Sequence, residues 1–267
     1  MFKIGVIGCG NMGEALIKGF IEKGGIRSTD IIVSDIDPEK IKHIVNSYNV
    51  AGTESNRKVA ELSKIVILAV KPKDIEKTLE PIKNLFNKEK ILISVIAGLK
   101  IERIKNMVGK NIPVVRVMPN TPALIGEGAI GISFDKSIDQ DSRKKIEELF
   151  SSVGLVVTVD EKDMDAVTAL SGSGPAYVFT FIDALAQGGV KCGLSYQEAL
   201  DLAVQTVLGS AMLIKKTGEH PSVLRDKVTS PGGTTIYGLH EIEKGSLRSV
   251  IINAVEKAAE RSKKLSD

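Results

Sequence analysis

The sequence predicts an α/β protein in two parts: a doubly wound, mostly parallel sheet domain over residues 1–160, then an all-α domain over residues 161–267. Three observations carry this. A short apolar strand runs directly into a G-x-G-x-x-G turn and a helix. Further apolar runs recur with helical segments between them. After Asp160 such runs stop, and only long helical stretches remain.

The opening strand is Lys3-Ile4-Gly5-Val6-Ile7, the turn is Gly8-Cys9-Gly10-Asn11-Met12-Gly13, and residues 14–23 follow with helical spacing. In such a unit the first glycine makes the tight turn, and the second lets the backbone approach a pyrophosphate. The third lets helix and strand pack closely. The unit predicts a Rossmann-type dinucleotide site. Ile31-Ile32-Val33-Ser34-Asp35 is the second strand, with Asp35 about where a carboxylate holds an adenosine ribose. Asp35 has a second reading as a cap or turn residue, because Asp37-Pro38 follows and opens the next helix. Lys40 and Lys42 fall in that helix and are given no role.

Ile65-Val66-Ile67-Leu68-Ala69-Val70 is apolar without alternation, the mark of a parallel strand buried on both faces. Lys71-Pro72 ends it and leaves a cation at the carboxyl edge of the sheet, where open α/β sheets bind ligands. Ile91-Leu92-Ile93-Ser94-Val95 runs to Ala97-Gly98, and Val114-Val115-Arg116-Val117-Met118 runs into Pro119-Asn120-Thr121-Pro122. Residues 129–134, a helix over 139–152 and residues 153–159 extend the same sheet.

In the helical half, Ser171-Gly172-Ser173-Gly174-Pro175 is expected to break the chain, with Pro175 opening a helix that reaches about Lys191. Its Tyr177, Val178, Phe179, Phe181, Ile182 and Leu185 leave it apolar nearly all round. Such a helix needs cover on every side. A helical half of this size cannot supply it, so a second copy of the chain is the expected cover. A helix over 195–216, between Gly193 and Gly218, and a last one over 246–265 complete this half.

Between those last two helices stands Val228-Thr229-Ser230-Pro231-Gly232-Gly233-Thr234-Thr235, followed by Ile236, Leu239 and Ile242 at helical spacing and by Gly245 as a stop. Pro231 is at home where a helix begins. Gly232 and Gly233 leave backbone N–H groups bare, and the helix points its positive end at whatever binds them. Ser230, Thr234 and Thr235 add hydroxyls. The combination suits a small carboxylate beside a second polar atom. The other reading is simply a well-capped helix, for which the same residue types serve.

The bulk properties narrow the class of function. A net charge of +3, with no basic run interleaved with aromatics, argues against a nucleic-acid partner. No stretch of ~18 apolar residues reads as a membrane span. The N-terminal Met1-Phe2-Lys3-Ile4 lacks a signal-peptide layout, and Cys9 and Cys192 make no disulfide framework or metal set. A cytoplasmic protein without a metal is expected. His43, His220 and His240 are isolated and read as surface or structural residues.

Five strings then stand in one order: Gly8-Cys9-Gly10-Asn11-Met12-Gly13, Ala69-Val70-Lys71-Pro72, Arg116 to Pro122, Ser171-Gly172-Ser173-Gly174-Pro175-Ala176-Tyr177, and Ser230-Pro231-Gly232-Gly233-Thr234-Thr235. Over the whole chain they resemble the pyrroline-5-carboxylate reductases, which make proline from its cyclic imine precursor. The Ser-Pro-Gly-Gly-Thr-Thr string is the most specific part. The resemblance implies that residues 8–13 cradle the phosphates of NADPH or NADH, with Asn56 and Lys71 flanking its riboses. Val95, Ile96 and Ala97 lie beside the dinucleotide, and Met118 and Asn120 border the nicotinamide. It further implies that Ser230 and the amides of Gly232, Gly233 and Thr234 hold the substrate carboxylate, and that Thr235 contacts the ring nitrogen as the catalytic hydroxyl. A homodimer or a ring of dimers is implied. A carboxylate at Asp35 would repel the 2′-phosphate of NADPH and favour NADH. Two alternatives are a β-hydroxyacid dehydrogenase and a non-catalytic NAD(P)-binding regulator. The first resembles this chain in plan but uses a lysine on the first interdomain helix, where residues 170–175 have none. The second has no use for an anion site built of glycines and hydroxyls.

Overall fold

The computed structural model describes residues 2–109 and 111–266. The chain begins with β1 (Phe2–Ile7), α1 (Asn11–Glu22), β2 (Ile31–Ser34), α2 (Pro38–Tyr48), β3 (Ala51–Thr53), α3 (Asn56–Leu62) and β4 (Ser63–Leu68). It continues through α4 (Ile75–Leu79), β5 (Ile91–Ser94), α5 (Ile101–Val108), β6 (Val114–Met118), β7 (Gly128–Phe134), α6 (Gln140–Ser151) and β8 (Gly154–Thr158). Helices follow: α7 (Met164–Val167), α8 (Gly174–Lys191), α9 (Tyr196–Thr217), α10 (Pro221–Lys227), α11 (Thr234–Lys244) and α12 (Leu247–Ser266). Residues 1–173 with 257–267 make one compact unit, and Gly174–Glu256 makes a second.

The sheet of the first unit has the order β3-β2-β1-β4-β5-β6-β7-β8. Its pairs are parallel except β6–β7, which is antiparallel. The valine- and isoleucine-rich strands feed both faces, as their unalternating pattern predicts. Ile4, Val6, Val33 and Ile67 pack with Leu16, Phe20 and Phe150 on one side. Ile7, Ile32, Val66 and Leu68 pack with Val59, Ile75, Leu79 and Ile104 on the other. Phe20 and Phe150 meet edge to face at 5.6 Å. Strand β3, Ala-Gly-Thr, carries no branched apolar run and is absent from the sequence reading. Its Gly52 lets Ile41 and Val45 of α2 lie directly on it, since a Cβ there would come within 2.7 Å of both.

One expectation is refined. The Ser171–Pro175 stretch interrupts the helices at Ser173 alone, and α8 opens at Gly174 beside Pro175. Residues Thr168–Gly172 form a wide π-type turn between α7 and α8, with the Ser173 N–H reaching the Thr168 carbonyl at 2.9 Å. Gly172 carries Met118 against it, and a Cβ there would come within 2.6 Å of the Met118 methyl. The close approach, not a loop, accounts for that glycine. Gly245 stands at the stop of α11, as expected, with its N–H returning to Glu241 O at 2.9 Å, and Ser246 after it takes the left-handed φ of 56°.

The second unit is helical and buries little of itself. Ala186, Ala199 and Ala203 are its only buried apolar cluster among the described residues, while Phe179 is 61% and Leu202 60% exposed. A helical unit with so small a core requires cover from outside. Helix α9 is set by a Ser195–Glu198 capping box and stopped by left-handed Gly218. Among the described residues, no helix is long and apolar enough to cross a membrane.

Candidate functional site

The sheet reverses its winding between β1 and β4, and the chain leaving those strands stays paired. The Gly8 N–H donates to Ser34 O at 2.7 Å, Ala69 N–H to Ile7 O at 2.8 Å and Val95 N–H to Leu68 O at 3.1 Å. Gly8, Ala69 and Val95 are thereby delivered to one carboxyl edge, the switch point at which open α/β sheets bind ligands.

The three glycines of the turn do three different things there. Gly8 has φ of 111°, and a Cβ would sit 2.5 Å from Ala69 O. At Gly13 a Cβ would meet Gly8 O at 2.1 Å. At Gly10 nothing lies within 4 Å. The first and third are bare so that protein can pack, and the second opens onto free space. Helix α1 starts directly behind Gly10 without a side-chain cap, so its first-turn amides face outward unpartnered by a cap. An uncapped helix start above an open glycine fits a pyrophosphate.

A cleft of about 460 Å³ opens at this edge. Of the sequence-predicted residues it gathers Gly8, Gly10, Asp35, Asn56, Ala69, Val70 and Lys71 on its wall. Cys9, Asn11, Met12, Gly13, Pro72, Val95, Ile96, Ala97, Met118 and Asn120 are not on it. Asp35 uses both carboxylate oxygens inward: Oδ2 accepts the Cys9 N–H at 2.7 Å and Oδ1 the Asp37 N–H at 2.9 Å. Asn56 Oδ1 accepts the Ser34 hydroxyl at 2.7 Å. Burial, reinforced by Asp35, pushes the Cys9 thiol up to about 12, so this cysteine is a packing group. Asn120 is spent within the protein. Its Nδ2 donates to Ser171 O at 3.0 Å, and its Oδ1 accepts the Ala129 N–H at 2.9 Å.

The cleft also contains a residue the sequence reading passed over. Lys40, in the first turn of α2, lines it, whereas Lys42 pairs with Glu39 at 3.9 Å. The signal lay in helical phase: Pro38 starts α2, and the turn it sets decides which lysine comes round to the sheet edge.

In the second unit, Ser230-Pro231-Gly232-Gly233 forms a β-turn. Gly233 N–H donates to Ser230 O at 3.1 Å, and Gly232 has φ of 68°. Proline at the second place and a left-handed glycine at the third specify a type II turn. Pro231 therefore belongs to the turn and not to the helix, which begins at Thr234. The Gly233 amide, expected to be bare, closes the turn. Helix α11 has Gly233 as its N-cap and no side-chain cap. The well-capped reading of this stretch is thus not what the chain builds. Thr229 Oγ1 returns to Arg225 O at 2.8 Å, but the hydroxyls of Ser230, Thr234 and Thr235 make no hydrogen bond with the described residues. Three free hydroxyls and an open helix start stand together. A neighbouring cleft of about 680 Å³ includes Gly232 but none of these hydroxyls. A further recess, about 930 Å³ around Phe134, is walled by charged pairs such as Lys105–Asp135 and has no cradle of this kind.

A glycine cradle at the switch point of a doubly wound sheet, joined to a helical half that cannot cover itself, defines a Rossmann-type dinucleotide-binding protein with an assembly domain. Residues 3–98 match the family described as NADP oxidoreductase, coenzyme F420-dependent, and residues 161–265 that described as pyrroline-5-carboxylate reductase dimerisation. The pyrroline-5-carboxylate reductase of Arabidopsis thaliana is 44% identical over 99% of this chain and 96% of its own. That of Methanosarcina acetivorans is 43% identical over 98% and 97%. The pyrroline carboxylate reductase of Plasmodium falciparum, solved with NADP bound, has a TM-score of 0.90 at 37% identity, covering 100% of this chain and 98% of that one. The chain belongs to the pyrroline-5-carboxylate reductase family.

Proposed function

We propose that this chain reduces the C=N bond of 1-pyrroline-5-carboxylate to L-proline, with NADPH or NADH as the reductant. The observation that carries the reading is the start of α11, where a tight turn precedes an uncapped helix and three unbonded hydroxyls. In this reading the Ser230 hydroxyl and the amides of Gly232 and Thr234 hold the substrate carboxylate, helped by the positive helix end. The Gly233 amide adds only what its turn bond leaves. Thr235 Oγ1 accepts the iminium N–H and later donates to the amine of the product.

A protonated imine is already electrophilic at carbon, so the reaction asks for no protein nucleophile. The work left to the chain is to hold the imine in place and exclude water. The amides of residues 8–13, with Asp35, Asn56 and Lys71, hold the dinucleotide; Val95, Ile96, Ala97, Met118 and Asn120 shape its surroundings by packing. The nicotinamide supplies a hydride when bound. Residues 1–160 serve as the dinucleotide half, and residues 161–267 as the dimerisation and substrate half. The assembly is a homodimer or a ring of dimers, in the cytoplasm, with no nucleic-acid or membrane partner.

The test is spectrophotometric. The purified chain is mixed with 1-pyrroline-5-carboxylate and each reduced cofactor in turn. Loss of reduced-nicotinamide absorbance matched by proline formation is the expected result. Full binding of cofactor with no consumption in the presence of the imine would reject the reading.

A further inference from the structure

We infer that Asn120 and Gly172 are positioning residues, which seat the Met118 side chain and through it set the reactive ring of the bound cofactor. This rests on the reading above, in which Met118 borders the nicotinamide. Met118 ends β6 at the carboxyl edge of the sheet, opposite Gly131 of β7. A methionine is unbranched and flexible, so the room its neighbours leave decides where it lies. At its methyl that neighbour is Gly172. A Cβ there would come within 2.6 Å of Met118 Cε but only within 3.9 Å of Met118 Cγ. The glycine therefore makes room for the tip of the side chain. Gly172→Ala would press on the free end of a flexible chain and not on backbone. Such an end yields at small cost, so the expected consequence is a displaced Met118 and not an unfolded protein.

The seat itself is held in place. Gly172 is delivered by the π-type turn Thr168–Gly172, a rare interruption of a helix. Thr168 Oγ1 donates to Met164 O at 2.8 Å and Ser171 Oγ to Val167 O at 2.9 Å, a back-bonding that bends helices. Gly131 lets Val167 lie directly on β7, since a Cβ there would come within 2.5 Å of Val167 Cγ1. In an α-helix the Ser171 carbonyl would accept from residue 175, but Pro175 has no N–H to give. Asn120 supplies a donor to that carbonyl, from Nδ2 at 3.0 Å. Its Oδ1 takes the Ala129 N–H at 2.9 Å, so both ends of the buried amide are fixed. Met118 and Asn120, two places apart on one segment, thus grip Gly172 and Ser171, which are adjacent in the turn. The contact and the hydrogen bond together form a clamp on the wall that Met118 makes.

The experiment is single-turnover hydride transfer, with the chain in excess over reduced cofactor and 1-pyrroline-5-carboxylate saturating. The rate reports how the reactants are placed, and the amplitude reports how much of the protein is folded and competent. Gly172→Ala should lower the rate roughly tenfold, as misplacing a reacting group does, with native amplitude. In a Met118→Val background the same Gly172→Ala change should cost less than about twofold, because the methyl it displaces is gone. Asn120→Asp keeps the acceptor for Ala129 and removes the donor to Ser171, so its rate should also fall, which keeps the clamp testable where Gly172→Ala fails to fold. A native rate in folded Gly172→Ala would overturn the inference. So would an equal loss in both Met118 backgrounds, or an Asn120→Asp chain with reduced amplitude and native rate. Cofactor binding by the folded native chain without any hydride transfer to the imine would instead overturn the proposed function, and this inference with it.

Discussion

The Asp35 carboxylate receives the Cys9 N–H at 2.7 Å across 26 residues of chain, tying the end of β2 to the glycine-rich turn. Its other oxygen takes the Asp37 N–H. Asp35 is thus a clasp on the cofactor cradle before it is a contact for any ribose. Asp35→Ser removes both acceptors at once. Losing two partly buried charge-assisted bonds should cost about 1–3 kcal/mol of stability. Affinity should fall for both adenosine 5′-monophosphate and the 2′,5′-bisphosphate, because the cradle they share is loosened. Urea unfolding and calorimetry on the same preparation check this. An unchanged midpoint, with only the ratio of the two nucleotides altered, would show Asp35 to be a selector and not a clasp.

Asp135 supplies the pH dependence. Burial pushes its carboxyl up, but the Lys105 ammonium and the Ser137 N–H and hydroxyl outweigh this and hold it below the ordinary carboxylate range. A group whose folded pKa lies below its unfolded one contributes stability above the unfolded value, near pH 4, and loses it as pH falls through the folded value. Asp135→Asn should therefore be less stable than the native chain by about 1–2 kcal/mol at neutral pH. The difference should close progressively below about pH 4. Denaturation midpoints measured from pH 7 down to about pH 3 report it, and a constant difference over that span would assign the loss to packing alone.

Phe179 and Leu202 stand more than half exposed on α8 and α9 of a unit whose buried apolar cluster is three alanines. Covering one such side chain contributes about 1.5–3 kcal/mol, so a handful suffices for a tight assembly. The native chain should sediment as a dimer or a multiple of dimers at micromolar concentration. Phe179→Asp should give monomer or aggregate. A monodisperse, folded, native monomer is the outcome that contradicts this.

Which features were legible in the sequence follows from how local they are. The glycine turn, the helices beginning near Asp139 and Ser195 and the buried parallel strands each follow from a few neighbouring residues, and each appears as read. The type II turn at Ser230 was equally local, yet its use of the Gly233 amide shifted the helix start to Thr234. What could not be read depends on distant partners. Nothing near Asn120 announces that Ser171 and Ala129 will occupy its amide. Nothing near Asp35 announces Cys9. Lys40 reaches the cleft only through the phase of α2. Gly172 looks like a chain breaker until Met118 is seen lying against it.

Thr235 is where the functional account is most exposed to test. Its hydroxyl makes no bond with the described residues, and the helix behind it is capped by no side chain. Thr235→Val keeps the shape and removes only the polar atom, so thermal stability should be unchanged within about 0.5 kcal/mol. Adenine-nucleotide affinity should also be unchanged. The value of kcat/KM for 1-pyrroline-5-carboxylate should drop roughly ten- to hundredfold, the worth of one hydrogen bond to a charged nitrogen. Imine kinetics and melting temperature measured on one preparation give the answer. A native kcat/KM with a lowered melting temperature would make Thr235 a structural residue and remove the ring-nitrogen contact from the account.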